Sequence, residues 1–149
     1  MDEDTFWKLI ERPDWRWADE DEERVLEPLV EALVALGEDA AVSFEESLAE
    51  KLHRLDTREH ARRIGEGSYI DDDEPFPVDG FLYASCLAVA RGREACKAAL
   101  ADPDRMPRDE EFEALLYAAS EANERLTGRE FDYDAALSYE TFSNRAGWA

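Results

Sequence analysis

The sequence predicts an all-α protein, and three observations carry that prediction. Apolar residues recur at steps of three and four over most of the chain, as in Leu26, Leu29, Val30, Leu33 and Leu36. Thr or Asp stands ahead of these runs, and Gly or Pro closes them. No stretch of useful length alternates apolar with polar residues as a half-buried strand does. The expected architecture is one domain over residues 1–149, a single compact bundle of five to six helices. It ends in an aromatic-rich, mostly irregular C-terminal tail over 129–149.

Thr5 is the expected N-cap of a short first helix with the face Phe6, Leu9 and Ile10, stopped by Pro13. The acid run Asp19–Glu23 suits a second helix start, because it meets the positive end of the helix dipole. Gly37 is its natural end. Pro28, inside that pattern, marks the first turn of a shorter helix or kinks a longer one. Asp39 caps a third helix with the stripe Phe44, Leu48, Leu52 and Leu55. Thr57 caps a short fourth helix that ends at Gly65 and Gly67. Residues 68–79 hold two prolines, five acids and no base, and read as an acidic loop with Asp79 as the next cap. Gly80 to Leu100 reads as one helix with a seam of small residues, Ala84, Ala88, Gly92, Ala95 and Ala99, ended by Asp102-Pro103. Asp109 caps the last long helix, with Phe112, Leu115, Leu116, Ala119, Ala122 and Leu126 on one face and Gly128 closing it. Phe131, Tyr133, Tyr139, Phe142 and Trp148 in the tail imply that it packs back on the helices.

The net charge is −21, from 38 acids and 17 bases. That excludes DNA or RNA as a direct partner, since such a binder needs a basic face, and it disfavours anionic membrane surfaces. No stretch approaches the roughly 18 consecutive apolar residues of a membrane span. The first residues are acidic, unlike a secretory signal, so the expected location is cytoplasmic. Cys86 and Cys96, ten residues apart on one helix, would be separated by about 15 Å. That is too far for a disulfide, so two free thiols are expected. The charge is uneven. Residues 1–24 carry ten acids and four bases, 71–79 five and none, and 109–140 ten and two, whereas 51–63 carry five bases and two acids.

Several segments resemble the bacterial family of proteins named DUF4240. These are Asp4-Thr-Phe-Trp-Lys-Leu-Ile-Glu11, Gly92-Arg-Glu-Ala-Cys-Lys-Ala-Ala-Leu100-Ala-Asp-Pro103, Glu111-Phe-Glu-Ala-Leu-Leu-Tyr117, Phe131-Asp-Tyr133 and Ser138 to Trp148. The family's most recognisable segment is matched at Asp79, Phe81, Tyr83 and Cys86, counting back from Gly92. Val78 stands where an Asp is usual, and Ser85 where an Arg is usual. The resemblance therefore puts an Asp–Arg pair of the family in doubt here: either it is lost, or Asp71 to Asp73 substitute for it from an insertion. It implies the helical class and brings no activity and no cofactor.

Candidate sites follow from charge and aromaticity. Asp71, Asp72, Asp73, Glu74 and Asp79 offer carboxylates that a hard divalent cation would take, with Asp71, Asp73 and Asp79 as weak metal ligands, but the spacing is not that of an EF-hand. Arg58, Arg62 and Arg63 with Lys51 and Arg54 form the one basic segment. It either offsets the acidic loop within the fold or offers guanidinium forks to a phosphate or carboxylate. Tyr83 is a polar group for such a pocket. His53, His60 and Asp56 make a poor zinc set, and both histidines are expected at the surface or at a cap. Both cysteines lie in an Ala-rich stretch, where a free thiol is usually a small core residue. Trp15 and Trp17 read as bundle packing or as aromatic anchors of a protein interface.

The function expected from this pattern is a non-enzymatic protein-binding module, inhibitor- or immunity-like or a mimic of nucleic-acid charge, with a basic protein as partner and no cofactor. The alternative is a small-molecule-binding protein or small enzyme with its site between acidic loop 71–79 and basic segment 51–63. A third reading takes the acidity as a solubility adaptation only.

Overall fold

The computed structural model describes all 149 residues and contains no strand. Its helices are α1 (Glu3–Ile10), α2 (Glu22–Leu36), α3 (Glu38–Leu55), α4 (Arg58–Ala61), α5 (Val78–Ala90), α6 (Arg93–Ala101), α7 (Ala118–Thr127) and α8 (Arg145–Trp148). Three 3-10 turns lie at Trp15–Trp17, Pro103–Arg105 and Glu113–Tyr117. The all-α class is as the apolar periodicity predicts. No helix is long and apolar enough to cross a membrane. The chain forms two compact units, Met1–Leu48 with Ala114–Ala136, and Ala49–Glu113 with Leu137–Ala149.

In the first unit α2 packs along α7 and against α1. Asp2, not Thr5, caps α1: its carboxylate accepts the Thr5 backbone N–H at 2.8 Å. Asp21 caps α2 from the middle of the acid run, accepting from Glu23 and Arg24, and Glu22 and Glu23 fill the first turn. Pro28 sits inside the longer helix. An interior proline costs about 3 kcal/mol. Burial of Val25, Leu26, Leu29, Val30 and Leu33 on the same helix offsets it. The Phe6 ring stacks on Phe44 at 5.2 Å, and both are fully buried. The small residues Ala118, Ala119 and Ala122 are the buried face of α7.

In the second unit α5 packs on α6, and α4 on α8. Residues 84 to 90 of α5 are all buried, as are Phe81 and Leu82, so the helix is enclosed on every side from Ala84 onward. Both cysteines are buried and neither forms a disulfide, Cys86 on α5 and Cys96 on α6. Asp79 does not cap α5. Pro77 precedes the helix without a side-chain cap, and Asp79 lies in the first turn.

Single glycines turn two helix–helix corners. Gly37, with φ +103° and ψ 179°, ends α2 and begins α3, since its N–H reaches Leu33 and its carbonyl accepts from Ala40 and Ala41. Asp39 therefore lies inside α3 and caps nothing. Gly92, with φ +109° and ψ 174°, does the same between α5 and α6, its carbonyl accepting from Cys96 at 2.9 Å. The single helix expected from Gly80 to Leu100 is thus two. The spacing of small residues continues through Gly92 in the sequence, but the backbone breaks there, and α6 buries Cys96 and Ala99. This backbone region is almost closed to side chains other than glycine, and a forced residue there costs about 1–3 kcal/mol. Gly92→Ala is expected to destabilise the protein by that amount, read as a fall in the urea midpoint at an unchanged slope. Gly80→Ala, within α5 and with only Pro77 near its new methyl, should be neutral or slightly stabilising.

Asp109 does not cap the last helix either. It has a positive φ of 57°, and its carboxylate accepts the Glu66 N–H at 2.8 Å. The segment after it enters α7 through the 3-10 turn Glu113–Tyr117, and Gly128 closes α7 in the left-handed conformation, as expected.

Candidate functional site

The sequence-derived candidates are dispersed. Asp71 turns its own loop, with Oδ1 accepting the N–H groups of Asp73 at 2.9 Å and Glu74 at 3.1 Å. Asp72 accepts the Tyr69 hydroxyl, which holds that phenol above its ordinary pKa. Asp73 and Asp79 are exposed. No three His, Cys, Asp or Glu side chains gather closely enough to hold a metal ion. Tyr83 is half-buried, and its carbonyl accepts from Phe112 at 3.1 Å. At the family-related positions, Val78 is exposed at the start of α5 and Ser85 is buried two turns on.

The basic segment finds its ion pairs outside loop 71–79. Arg62 bonds Glu59 at 2.7 Å, Arg63 bonds Asp104 at 2.8 Å, and Arg54 and Lys51 lie within 4 Å of Glu50. It reaches toward that loop at Tyr69, whose ring has Arg58 at 5.9 Å and Arg62 at 5.8 Å. His60 is buried rather than at the surface. Nε2–H donates to the Ala99 carbonyl at 2.7 Å, which leaves Nδ1 to accept from the Thr57 hydroxyl at 2.6 Å. Burial holds its pKa below the usual value. His53 is half-exposed, 2.8 Å from the Ser138 carbonyl. Trp15 is 40% exposed, while Trp17 lies under the Arg24 guanidinium at 4.4 Å.

Two arrangements were not apparent from the sequence. The first is a groove in the first unit, a cavity of about 390 Å³ between α2 and the segment 114–125. Leu26, Val30 and Ala114 give it apolar surface, and Tyr117, 52% exposed, is the aromatic on its lining. Four glutamates, Glu23, Glu27, Glu121 and Glu124, line it with one base, Arg125. Arg125 grips Glu27 with two bonds of 2.6 and 2.7 Å and reaches Glu121 at 3.2 Å. The Arg125 bond holds Glu27 below the ordinary carboxylate range. Glu23 and Glu124 are left exposed, with no ion pair for their carboxylates. Acid counts had marked both flanking segments but could not bring them together.

The second is built on Asp56, in the second unit. This carboxylate is 2% exposed. Oδ1 accepts from the Trp148 indole at 2.7 Å and the Phe142 N–H at 3.1 Å, and Oδ2 from the Asn144 N–H at 2.9 Å. Arg58 Nη2 donates to the Trp148 carbonyl at 2.7 Å. The Trp148 ring lies among Tyr69 at 5.3 Å, Phe76 at 6.0 Å, Phe81 at 6.3 Å and Phe142 at 4.5 Å. The tail does pack back, as its aromatics imply. The sequence signal available was the aromatic content of 131–148; nothing near Asp56 marked its role.

The structure is all-α, with an acidic groove in the first unit and a buried carboxylate clasp in the second. The chain belongs to the DUF4240 family, described as protein of unknown function, which it matches over residues 1–140. Neither the curated proteins nor the solved structures include a match to it.

Proposed function

We propose that this chain is a non-enzymatic protein-binding module that presents its acidic α2–α7 groove to a basic protein. Inhibitors, immunity proteins and mimics of nucleic-acid charge work on that principle. The observation that supports the reading is the combination in one groove of apolar surface, an exposed tyrosine and two unpaired carboxylates. Apolar contact supplies affinity, and the excess of acids steers a Lys- or Arg-bearing partner and rejects acidic ones. Arg125 holds the groove's shape by tying α2 to α7 and is not itself left open to an anion.

A fluorescent amphipathic peptide with Lys and Arg along one face tests this by anisotropy. Binding should weaken as salt rises, because exposed charges are screened beyond about 8 Å at physiological ionic strength. The double change Glu23→Lys and Glu124→Lys should weaken it at least tenfold, an expected loss of about 1.4 kcal/mol. Asp71→Lys with Asp73→Lys changes net charge equally and should have a much smaller effect. Equal losses from the two pairs would leave only net charge and sink the groove reading.

A further inference from the structure

The segment that fills the Asp56 clasp, Phe142–Trp148, lies beyond the family match at 1–140, while Asp56, Arg58, Tyr69, Phe76 and Phe81 lie within it. The receiving residues have the chemistry that an indole requires. A buried carboxylate oxygen takes the ring N–H, and aromatic rings meet the indole edge-on at Tyr69 and Phe81, with interplanar angles of 86° and 84°.

One donor is left over. Arg58 Nε is buried without a hydrogen-bond partner. Nε and Nη2 share one edge of the guanidinium, the fork that grips a carboxylate with two parallel bonds. Here Nη2 holds the Trp148 carbonyl, a single amide oxygen because Ala149 follows, and the other prong is empty. A tryptophan carrying a free carboxylate would engage both prongs with its two oxygens.

We propose that Asp56, Arg58, Tyr69, Phe76 and Phe81 form a recognition site for a peptide ending in tryptophan, held shut in cis by Phe142–Trp148. The close passage of Gly147 fits such a segment, since an added Cβ there would lie 2.7 Å from the Asp56 carbonyl. The occupant therefore needs a glycine-like residue before its tryptophan. The intramolecular segment competes at high effective concentration, so a peptide in trans binds the unaltered chain weakly. This inference shares no residue with the acidic groove, and either can fail alone.

The test uses the full chain with Trp148→Ala, its helical circular dichroism confirmed, titrated calorimetrically with the peptide Ser-Asn-Arg-Ala-Gly-Trp bearing a free carboxylate. Binding is expected, at least tenfold tighter than for the same peptide amidated. Adding Arg58→Gln should erase that difference. Replacing the peptide's Trp by Phe, which removes the N–H facing Asp56, should weaken binding at least fivefold. If Trp148→Ala does not fold, Trp148→Phe keeps the ring and is titrated in the same way. No binding to the folded variant, or equal binding of acid and amide, overturns the proposal. Free L-tryptophan binding as tightly as the peptide overturns the assignment to a peptide.

Discussion

Asp56→Ala is expected to destabilise the protein by about 3 kcal/mol, because it strips the acceptor from three buried or half-buried N–H groups at once. The loss is bounded by release of the segment Phe142–Trp148, after which water takes those donors. The signature is therefore local as well as global. Amide hydrogen exchange at Phe142 and Asn144 should accelerate more than exchange in α5, and the urea midpoint should fall. Asp56→Asn separates the two oxygens. If its carbonyl takes the place of Oδ1, it still accepts from Trp148 and Phe142, but its amide then faces the Asn144 N–H, donor against donor. Its loss should be about half that of alanine on the same accounting. Unchanged stability and unchanged protection in Asp56→Ala would show that the clasp does not hold the segment.

Glu45→Gln should act in the opposite direction, and its effect should depend on pH. Glu45 is 8% exposed on α3. Burial first, and the neighbouring Glu46 second, push its carboxyl up to about 7 from 4.5. A folded-state value above the unfolded one means that the protonated form is favoured in the fold. The stability it contributes is complete below pH 4.5 and is lost as pH rises through 7. At pH 8 the ionised carboxylate costs about 3 kcal/mol, taking 1.36 kcal/mol per unit of pKa. Glutamine removes the titration, so Glu45→Gln should be more stable than the parent by that order at pH 8. The gain should shrink to less than about 1 kcal/mol at pH 5. Differencing the two chains cancels other groups, including His60, whose lowered value works in reverse: its contribution is present above pH 6.5 and lost as pH falls. A gain independent of pH would show that Glu45 does not titrate in this range.

Glu46 beside it has a different task. It accepts the Tyr133 hydroxyl and the Ala136 N–H at 2.8 Å, and those bonds hold it below the ordinary carboxylate range. Adjacent acids on one helix thus diverge because one side chain turns inward and the other meets a stretch of irregular tail. The sequence shows them as a pair of identical residues, and only their surroundings separate them.

By itself, the sequence determined the helical class, the start of α2 in the acid run, the Thr57 cap of α4 and the ends at Gly37 and Gly128. Each rests on interactions between residues within about four positions, which local residue types dictate. Two local expectations failed. Asp2 and not the expected Thr5 caps α1, and Gly92 kept the spacing of a continuous helix while its backbone turned a corner. Tertiary structure alone decided the sites. Glu27 meets Arg125 across 98 positions, and Asp56 meets Trp148 across 92. Nothing local marks Asp56 as buried, because a carboxylate between Leu55 and Thr57 is equally at home in water. Its burial becomes tolerable only when distant N–H groups arrive to take both its oxygens, and that depends on how the helices pack.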